Sequence, residues 1–403
     1  MSYIYINIMN YPKNLDDALK WNYKFWSTQP VKKLREITYV DGEIEHINQN
    51  DILTDSGQLP DGFEWCNMDL NNEQDINEVA DFLNKHYIED KSGNFRLHYS
   101  ANLLQWMYKD RNHVAISVKY IVDNKKIIVG FICGKVVKMQ VNRKQLDMIE
   151  INLLCIHPKL RQKRLAPRLI KEITRQFNIK GYFYGIYTAA TYLPAPVTTI
   201  KYYHRPINIE KMVDTGFSRT TNNLTVEQIK NSIKVRGKPS ELFVKMEPHH
   251  IDKSYELFNK YMEKYNYHPI YNIDEFIHLF MNNEFVSSYV LEDVNGNVLD
   301  FISYYTSKTR VLKNSDTDKN GFLNIAYLFY YTCTHTSIYK LLNELIYVVH
   351  NNNIDIFTAF DIMENETVLT EMGFEEGSGI LHYYLYNWKT KPIKNNQLAV
   401  ILF

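Results

Sequence analysis

The stretch Ile151–Ile173 reads INLLCIHPKLRQKRLAPRLIKEI, and its three parts decide the fold. The apolar run Ile151–Ile156 reads as a strand. From Leu165 to Phe177 the apolar positions 165, 166, 169, 170, 173 and 177 fall on one helical face. Pro167 suits the first turn of that helix, where a missing N–H is no loss. Between the two lie Lys159, Arg161, Lys163 and Arg164, four cations within six positions. A loop that ends at a helix N-terminus offers unpaired backbone amides and the positive end of the helix dipole, the natural seat of a phosphate group. The cations add point charges and bidentate forks to those amides.

Working outward, His113–Val122 and Lys126–Met139 read as a hairpin around the turn Asp123-Asn124-Lys125. Gly181–Thr188 reads as a further strand, and so does the opening segment. Helical spacing appears over Asp75–Leu83 and Ala101–Met107. The second half repeats this order. Ser287–Ser307 is a hairpin with an Asn-Gly turn, and its LDFISYYT resembles the earlier VGFICGKV. Leu323–His350 is again strand, loop and amphipathic helix, with TCTHTS standing where the first half has KLRQKR. The expected class is a mixed α/β (α+β) sheet protein of two related domains, 1–220 and 221–403, divided in the polar stretch Ser218–Thr225.

The 403 residues suit two domains of roughly 200 each. A hydrophobic fraction of 45% and a charged fraction of 23% are ordinary for a soluble globular chain. Lys+Arg and Asp+Glu stand at 46 each, which argues against a general attraction to nucleic acid or acidic membranes and makes the basic loop a local feature. Cys66, Cys133, Cys155 and Cys333 form no CxxC pair, so neither a disulfide framework nor a zinc site is expected. The N-terminus does not read as a signal peptide, and no apolar run approaches the roughly 20 residues of a membrane span. The expectation is a cytoplasmic monomer without a metal, a nucleic-acid partner or a transmembrane segment. Cys155, between Leu154 and Ile156, reads as a buried apolar residue and not as an acyl-enzyme nucleophile. No spacing joins His157 or His204 to a nucleophile.

The pattern Arg161-x-x-Arg164-x-Ala166 resembles the pyrophosphate loop of the GNAT superfamily of CoA-dependent N-acyltransferases. The longer text EINLLCIHPKLRQKRLAPRLIKEITR (Glu150–Arg175) is similar to the signature of the glycylpeptide N-tetradecanoyltransferase, or N-myristoyltransferase, family. YKFWSTQPV (Tyr23–Val31), YTAATYLPAPVTTIKYYHRPIN (Tyr187–Asn208), FDIMENETVL (Phe360–Leu369) and LHYYLYNWK (Leu381–Lys389) resemble further blocks of that family.

The resemblance implies two fused GNAT-like domains with a pseudo-twofold repeat, the first binding myristoyl-CoA and the second the peptide. Myristoyl-CoA would be a co-substrate, with no cofactor, and an N-terminal glycine amine would attack its thioester directly. Lys24, Phe25 and Trp26, with Leu154, Cys155 and Ile156, would line the CoA and acyl site. Arg161, Gln162, Arg164, Leu165 and Ala166 would hold the phosphates. The amides of Leu153 and Leu154 would stabilise the oxyanion, and Asn152 and Thr188 would accept from the amine. The chain ends NNQLAVILF, apolar after Gln397; in the family the terminal carboxylate, here that of Phe403, is the general base. Tyr87, Phe95, Tyr99, Tyr202, His204 and Gly377 would contact the peptide. Lys91, Ser92, Leu97, His98 and Ser378 depart from the family pattern, which leaves peptide preference beyond glycine open. Two alternatives stay open: an N-acyltransferase of another chain length, and an acyl-CoA or peptide-binding protein without turnover.

Overall fold

The computed structural model describes residues 12–87, 93–108, 112–218, 225–235, 238–312 and 321–402. The first half carries β1 (Gly42–Glu43), β2 (Phe63–Met68), β3 (Phe95–His98), β4 (His113–Val122), β5 (Lys125–Val141), β6 (Lys144–Ile156), β7 (Tyr184–Ala189) and β8 (Thr198–Pro206). The second carries β9 (Phe243–Lys245), β10 (Tyr267–Pro269), β11 (Val286–Glu292), β12 (Val298–Val311), β13 (Phe322–Tyr331), β14 (Ile356–Phe360), β15 (Glu375–Tyr386) and β16 (Trp388–Lys389). The helices are α1 (Leu15–Lys20), α2 (Glu73–His86), α3 (Ala101–Tyr108), α4 (Leu165–Ile179), α5 (Ile209–Asp214), α6 (Val226–Ser232), α7 (Ile251–Met262), α8 (Ile273–Phe280) and α9 (Ile338–Asn351).

Strands β2 to β15 form one sheet whose main path runs β2-β4-β5-β6-β7-β15-β8-β14-β13-β12-β11-β9. The repeat is plain in this order. β4, β5 and β6 pair antiparallel, α4 crosses over, and β7 returns parallel to β6. β11, β12 and β13 do the same, α9 crosses over, and β14 returns parallel to β13. The last strand of each unit is exchanged: β8 pairs with β14 of the second unit, and β15 fills the space between β7 and β8. Small strands knit the halves further, β10 on β5 and β3 on β12.

The expected hairpins and helices are present, with both residues of the β4–β5 turn, Asp123 and Asn124, at positive φ. The basic loop does run from a strand into a helix. The C-terminal block FDIMENETVL begins at the last residue of β14, and LHYYLYNWK takes in Leu381–Tyr386 of β15, a run buried on both faces up to Leu385. The expected opening strand and the stretch 219–224 around the expected boundary lie outside the described residues.

Two apolar layers flank the sheet. Leu165, Leu169, Ile173 and Phe177 of α4 pack with Ile116, Ile132, Ile149 and Leu154 on one face. A larger cluster takes in α2, α3, α7, α8 and α9, and along β12, β13 and β14 it includes residues of both faces of the sheet. Each fully buried Leu or Phe contributes about 1.5–3 kcal/mol. Among the described residues no helix is long and apolar enough to cross a membrane.

Candidate active site

The basic loop leaves β6 through a 3-10 turn at Pro158–Leu160 and reaches α4 through Arg161–Arg164. Gln162 (φ 66°) and Arg164 (φ 62°) are left-handed, and such residues turn successive N–H groups to one side as an anion-binding concavity. Arg164 is the N-cap of α4, and its side chain makes no capping bond, so the first amides of the helix are not capped by it. Among the described residues no carboxylate reaches the amides of Gln162–Ala166. Arg161 is placed differently from Arg164. Its Nε donates to the Ile156 carbonyl (3.2 Å) and an Nη to the His86 carbonyl at the end of α2 (2.8 Å), so part of its fork shapes the loop.

A groove of about 1240 Å³ opens beside the loop, walled by Trp21–Trp26 on one side and Leu53–Gln58 on the other. It brings together Lys24, Phe25, Trp26 and Arg164, while Arg161, Gln162, Leu165 and Ala166 are not part of its lining. Its floor is a stripe along α4, Arg164, Arg168, Lys171 and Arg175. Arg168 and Lys171 are residues that sequence reasoning missed, although the 4-3-4 spacing of the cations was a readable signal. The second wall is pinned to α4: Arg175 donates to the carbonyls of Leu53 (3.2 Å) and Thr54 (2.7 Å), and Ser56 to Glu172 (2.9 Å).

Trp26 lines this groove and also a second, apolar pocket with Ile149, Ile151, Ile170, Ile173, Phe177 and Tyr187. Its ring stacks on Tyr187 at 5.4 Å. The apolar pocket holds about 40 Å³, room for a few waters at about 10–15 Å³ each. A long acyl chain would enter only as these side chains move apart.

On β6 the register steps from Phe131 opposite Cys155 to Cys133 opposite Asn152, so Leu153 and Leu154 together face Ile132. Such a bulge takes an extra residue out of the ladder. Leu153 sits at φ 58°, unusual for a bulky residue. The bulge also flips the side-chain alternation, putting Leu153 and Cys155 in one apolar layer and Leu154 in the other. Burial raises the Cys155 thiol well above its ordinary range, so a thiolate nucleophile is disfavoured there. His157 rests against His86 (4.6 Å), and burial with Lys159 and Arg161 nearby lowers its pKa. Asn152 is 1% exposed and donates through Nδ2 to Glu150 (2.7 Å). Thr188, fully buried on β7, is close by: Glu150 pairs with Ile186, and both residues lie two positions further along.

The expected aromatic peptide residues fall into two groups of rings. Tyr87 meets Tyr99 (5.7 Å), and Phe95 meets Phe217 (5.3 Å), which meets His204 (6.0 Å), stacked in turn near Tyr202 (6.2 Å). His204 bonds Thr358 through Nδ1 (2.9 Å), and burial lowers its pKa to about 4, so it is neutral near pH 7. Gly377 lies where the β15–β8 register breaks between Glu376 and Ile380. A Cβ there would sit 2.7 Å from His204, which is why the position takes glycine. Leu97 and Tyr99 line a small cavity with Tyr305 and Tyr327. Lys308 and Arg310 stand near His98, and Lys201 pairs with Glu376 (2.9 Å). Lys91 and Ser92 lie outside the described residues.

The apolar tail Leu398–Leu402 is buried and held without regular strand pairing. Ala399 donates to the Tyr267 carbonyl (2.7 Å), Ile401 to the Tyr330 hydroxyl (3.1 Å), and the Tyr383 hydroxyl to Val400 (2.9 Å). Phe403 lies outside the described residues. Away from the site, His249, His250 and Glu292 approach one another as metal ligands would. However, His250 Nδ1 accepts from the Glu247 amide (2.9 Å), which puts the ring proton on Nε2, facing Glu292. That leaves no lone pair on the ring for a cation.

Anion loop, apolar pocket and bulged strand, meeting on one sheet, make the layout of an N-acyltransferase-like protein. The Myristoyl-CoA:protein N-myristoyltransferase N-terminal domain matches residues 43–200 and its C-terminal domain residues 214–399. Glycylpeptide N-tetradecanoyltransferase of Plasmodium falciparum is 37% identical over 401 residues, covering 97% of this chain and 96% of that protein. Glycylpeptide N-tetradecanoyltransferase 2 of Bos taurus is 35% identical over 397 residues, covering 97% and 78%. The crystal structure of Saccharomyces cerevisiae N-myristoyltransferase with bound myristoyl-CoA superposes with a TM-score of 0.85 at 32% identity, covering 93% of this chain and 94% of that one. The chain belongs to the N-myristoyltransferase family.

Proposed function

We propose that the protein transfers the tetradecanoyl group of myristoyl-CoA to the α-amine of an N-terminal glycine. The observation that carries the reading is the junction at Trp26, where a cation-lined groove meets an apolar pocket beside the bulge of β6. An amphiphile with a phosphorylated head and an alkyl tail fits that junction and leaves its thioester near Leu153 and Leu154. The residues 1–220 would then bind acyl-CoA, and 221–403 would complete the peptide site and end in the catalytic segment.

The amine must be neutral to attack, against an ordinary pKa near 8. Its lone pair forms the C–N bond at the thioester carbon, and the amides of Leu153 and Leu154 stabilise the resulting oxyanion. Collapse breaks the C–S bond, and the CoA sulfur leaves and takes up a proton. Asn152 and Thr188 hold the amine during attack, and the neutral His204 belongs to the peptide wall. The base in this reading is the α-carboxylate of Phe403, directly after the buried Leu402. A C-terminal tag should then lower the single-turnover rate about 10²-fold; full rate in a tagged protein removes that carboxylate from the mechanism.

The deciding assay is CoA release from myristoyl-CoA with peptides that begin with Gly or Ala. Release with Gly peptides and almost none with Ala peptides is expected, because the added methyl crowds the attacking nitrogen. Binding without release would favour the non-catalytic alternative, and faster release from a shorter or longer acyl-CoA would favour the other chain length.

A further inference from the structure

One buried charge pair lies beside this machinery without a role in it. Lys135 on β5 and Glu150 on β6 are direct cross-strand partners, and their side chains are 3% and 5% exposed. Lys135 Nζ approaches Glu150 Oε2 at 3.4 Å and lies 5.6 Å from the centre of the Tyr108 ring. The other carboxylate oxygen of Glu150 accepts from Asn152 Nδ2 at 2.7 Å. Asn152 Oδ1 is buried and has no hydrogen-bond partner among the described residues. A buried acceptor left unpaired is disfavoured, and where one persists it calls for a donor from elsewhere.

A primary amide has a donor end and an acceptor end, and either can face a given neighbour. Here the choice is not free. Turning Asn152 over would set its carbonyl oxygen against the Glu150 carboxylate at a hydrogen-bond distance, a repulsive contact, and would present N–H groups to the site. An amine that must attack through its lone pair needs an acceptor for its N–H and is repelled by a donor. Lys135 has the complementary task. A lone carboxylate this close would hold the incoming amine in its charged, non-nucleophilic form; paired with Lys135, it orients the amide without leaving net charge.

We infer that Glu150, neutralised by Lys135, is a positioning residue that locks the Asn152 amide with its carbonyl turned toward the incoming amine. This rests on the transfer reading above. The test compares wild type with the double variant Glu150→Gln/Lys135→Met, which leaves no unpaired buried charge, and with Glu150→Asp, which keeps the charge but withdraws the carboxylate by one methylene. Single-turnover rates at saturating myristoyl-CoA should fall roughly 10- to 100-fold in both variants, the size of a lost charge-assisted bond, and the peptide KM should rise. Myristoyl-CoA affinity should stay within about twofold, a split that general loosening of the fold would not give. Wild-type rates in either folded variant, or a parallel loss of myristoyl-CoA affinity, would overturn the inference. Should the double variant fail to fold, Glu150→Asp decides alone. A wild-type protein that acylates no Gly peptide would instead defeat the reading beneath it.

Discussion

The two strand–loop–helix units share a topology and treat an anion in opposite ways. In the first, KLRQKR leads into α4, no carboxylate of the described residues reaches the loop amides, and Gly130 stands on the adjacent strand against Leu165. In the second, TCTHTS leads toward α9 and closes on Asp300, which is fully buried. Oδ1 of Asp300 accepts from Thr334 N (2.6 Å) and Oγ1 (2.8 Å), and Oδ2 from His335 N (2.9 Å) and Thr336 N (2.8 Å). Both units also break register on the strand before the loop, but only the first has a left-handed residue there, Leu153. Both crossovers gather backbone amides at the loop, although in the first those of Arg161 and Lys163 are bonded to Pro158 and Leu160. One ring stays open to a ligand, and the other is filled by the chain's own carboxylate.

The sharpest way to break this contrast is to fill the first ring. A Cβ on Gly130 would face α4, 3.0 Å from Leu165 Cδ2. Gly130→Asp should weaken myristoyl-CoA binding about 100-fold or more through an internal carboxylate at the loop, with Gly130→Ala as the steric control, expected to lose far less. Equal losses in the two variants, measured by titration, would show that crowding alone acts. Emptying the second ring is the reverse experiment. Asp300→Ala leaves several amides without an acceptor and should cost about 3 kcal/mol or more of folding stability, read as a thermal midpoint several degrees lower. A midpoint unchanged would mean that water replaces the carboxylate at no cost.

Smaller changes sharpen the picture. Arg164→Ala should weaken myristoyl-CoA about tenfold, since one charge-assisted bond to phosphate is worth ~1.5–3 kcal/mol. Arg161→Ala should also disturb the loop, because that fork holds the carbonyls of Ile156 and His86. Raised salt should erase part of the Arg164 effect and little of the Asp300 effect, as exposed charge is screened and buried charge is not. Smallest of all, Thr334→Val removes one of the donors to Asp300 and should cost about 1 kcal/mol; a loss as large as that of Asp300→Ala would put the hydroxyl, not the amides, at the centre of the ring.

The open ring was legible in the sequence because its elements follow one another: apolar run, cations, Pro167, helical spacing. The filled one was not, since Asp300 lies more than thirty positions before the amides it serves and looks like any polar residue of a hairpin. The repeat could be read from LDFISYYT and VGFICGKV, but the exchange of β8 and β15 could not, because strand order is a long-range property that local pattern does not carry. The amides of Leu153 and Leu154 were named only through the family resemblance; INLLC alone reads as an unbroken strand. Asn152 was named as an amine contact, while Glu150 and Lys135, which set its orientation, appear in sequence only as two charges fifteen positions apart. The side chains of β14 and of Leu381–Leu385 in β15 gave no alternation because both faces are covered there.

The strand exchange has a consequence for how the chain is made. During synthesis from the N-terminus, β4, β5, β6, α4 and β7 can assemble as soon as they emerge, since their contacts are local. The far edge of β7 then waits for β15, which pairs Thr188 with Tyr383, almost two hundred residues later. At about 5–20 residues per second, that edge stays unpaired for roughly 10–40 s. An exposed strand edge is a template for unwanted pairing over just such an interval. The first unit therefore has to be either shielded or only loosely formed until the chain is nearly complete, and a chain truncated before β15 should be prone to aggregate despite containing the whole anion loop.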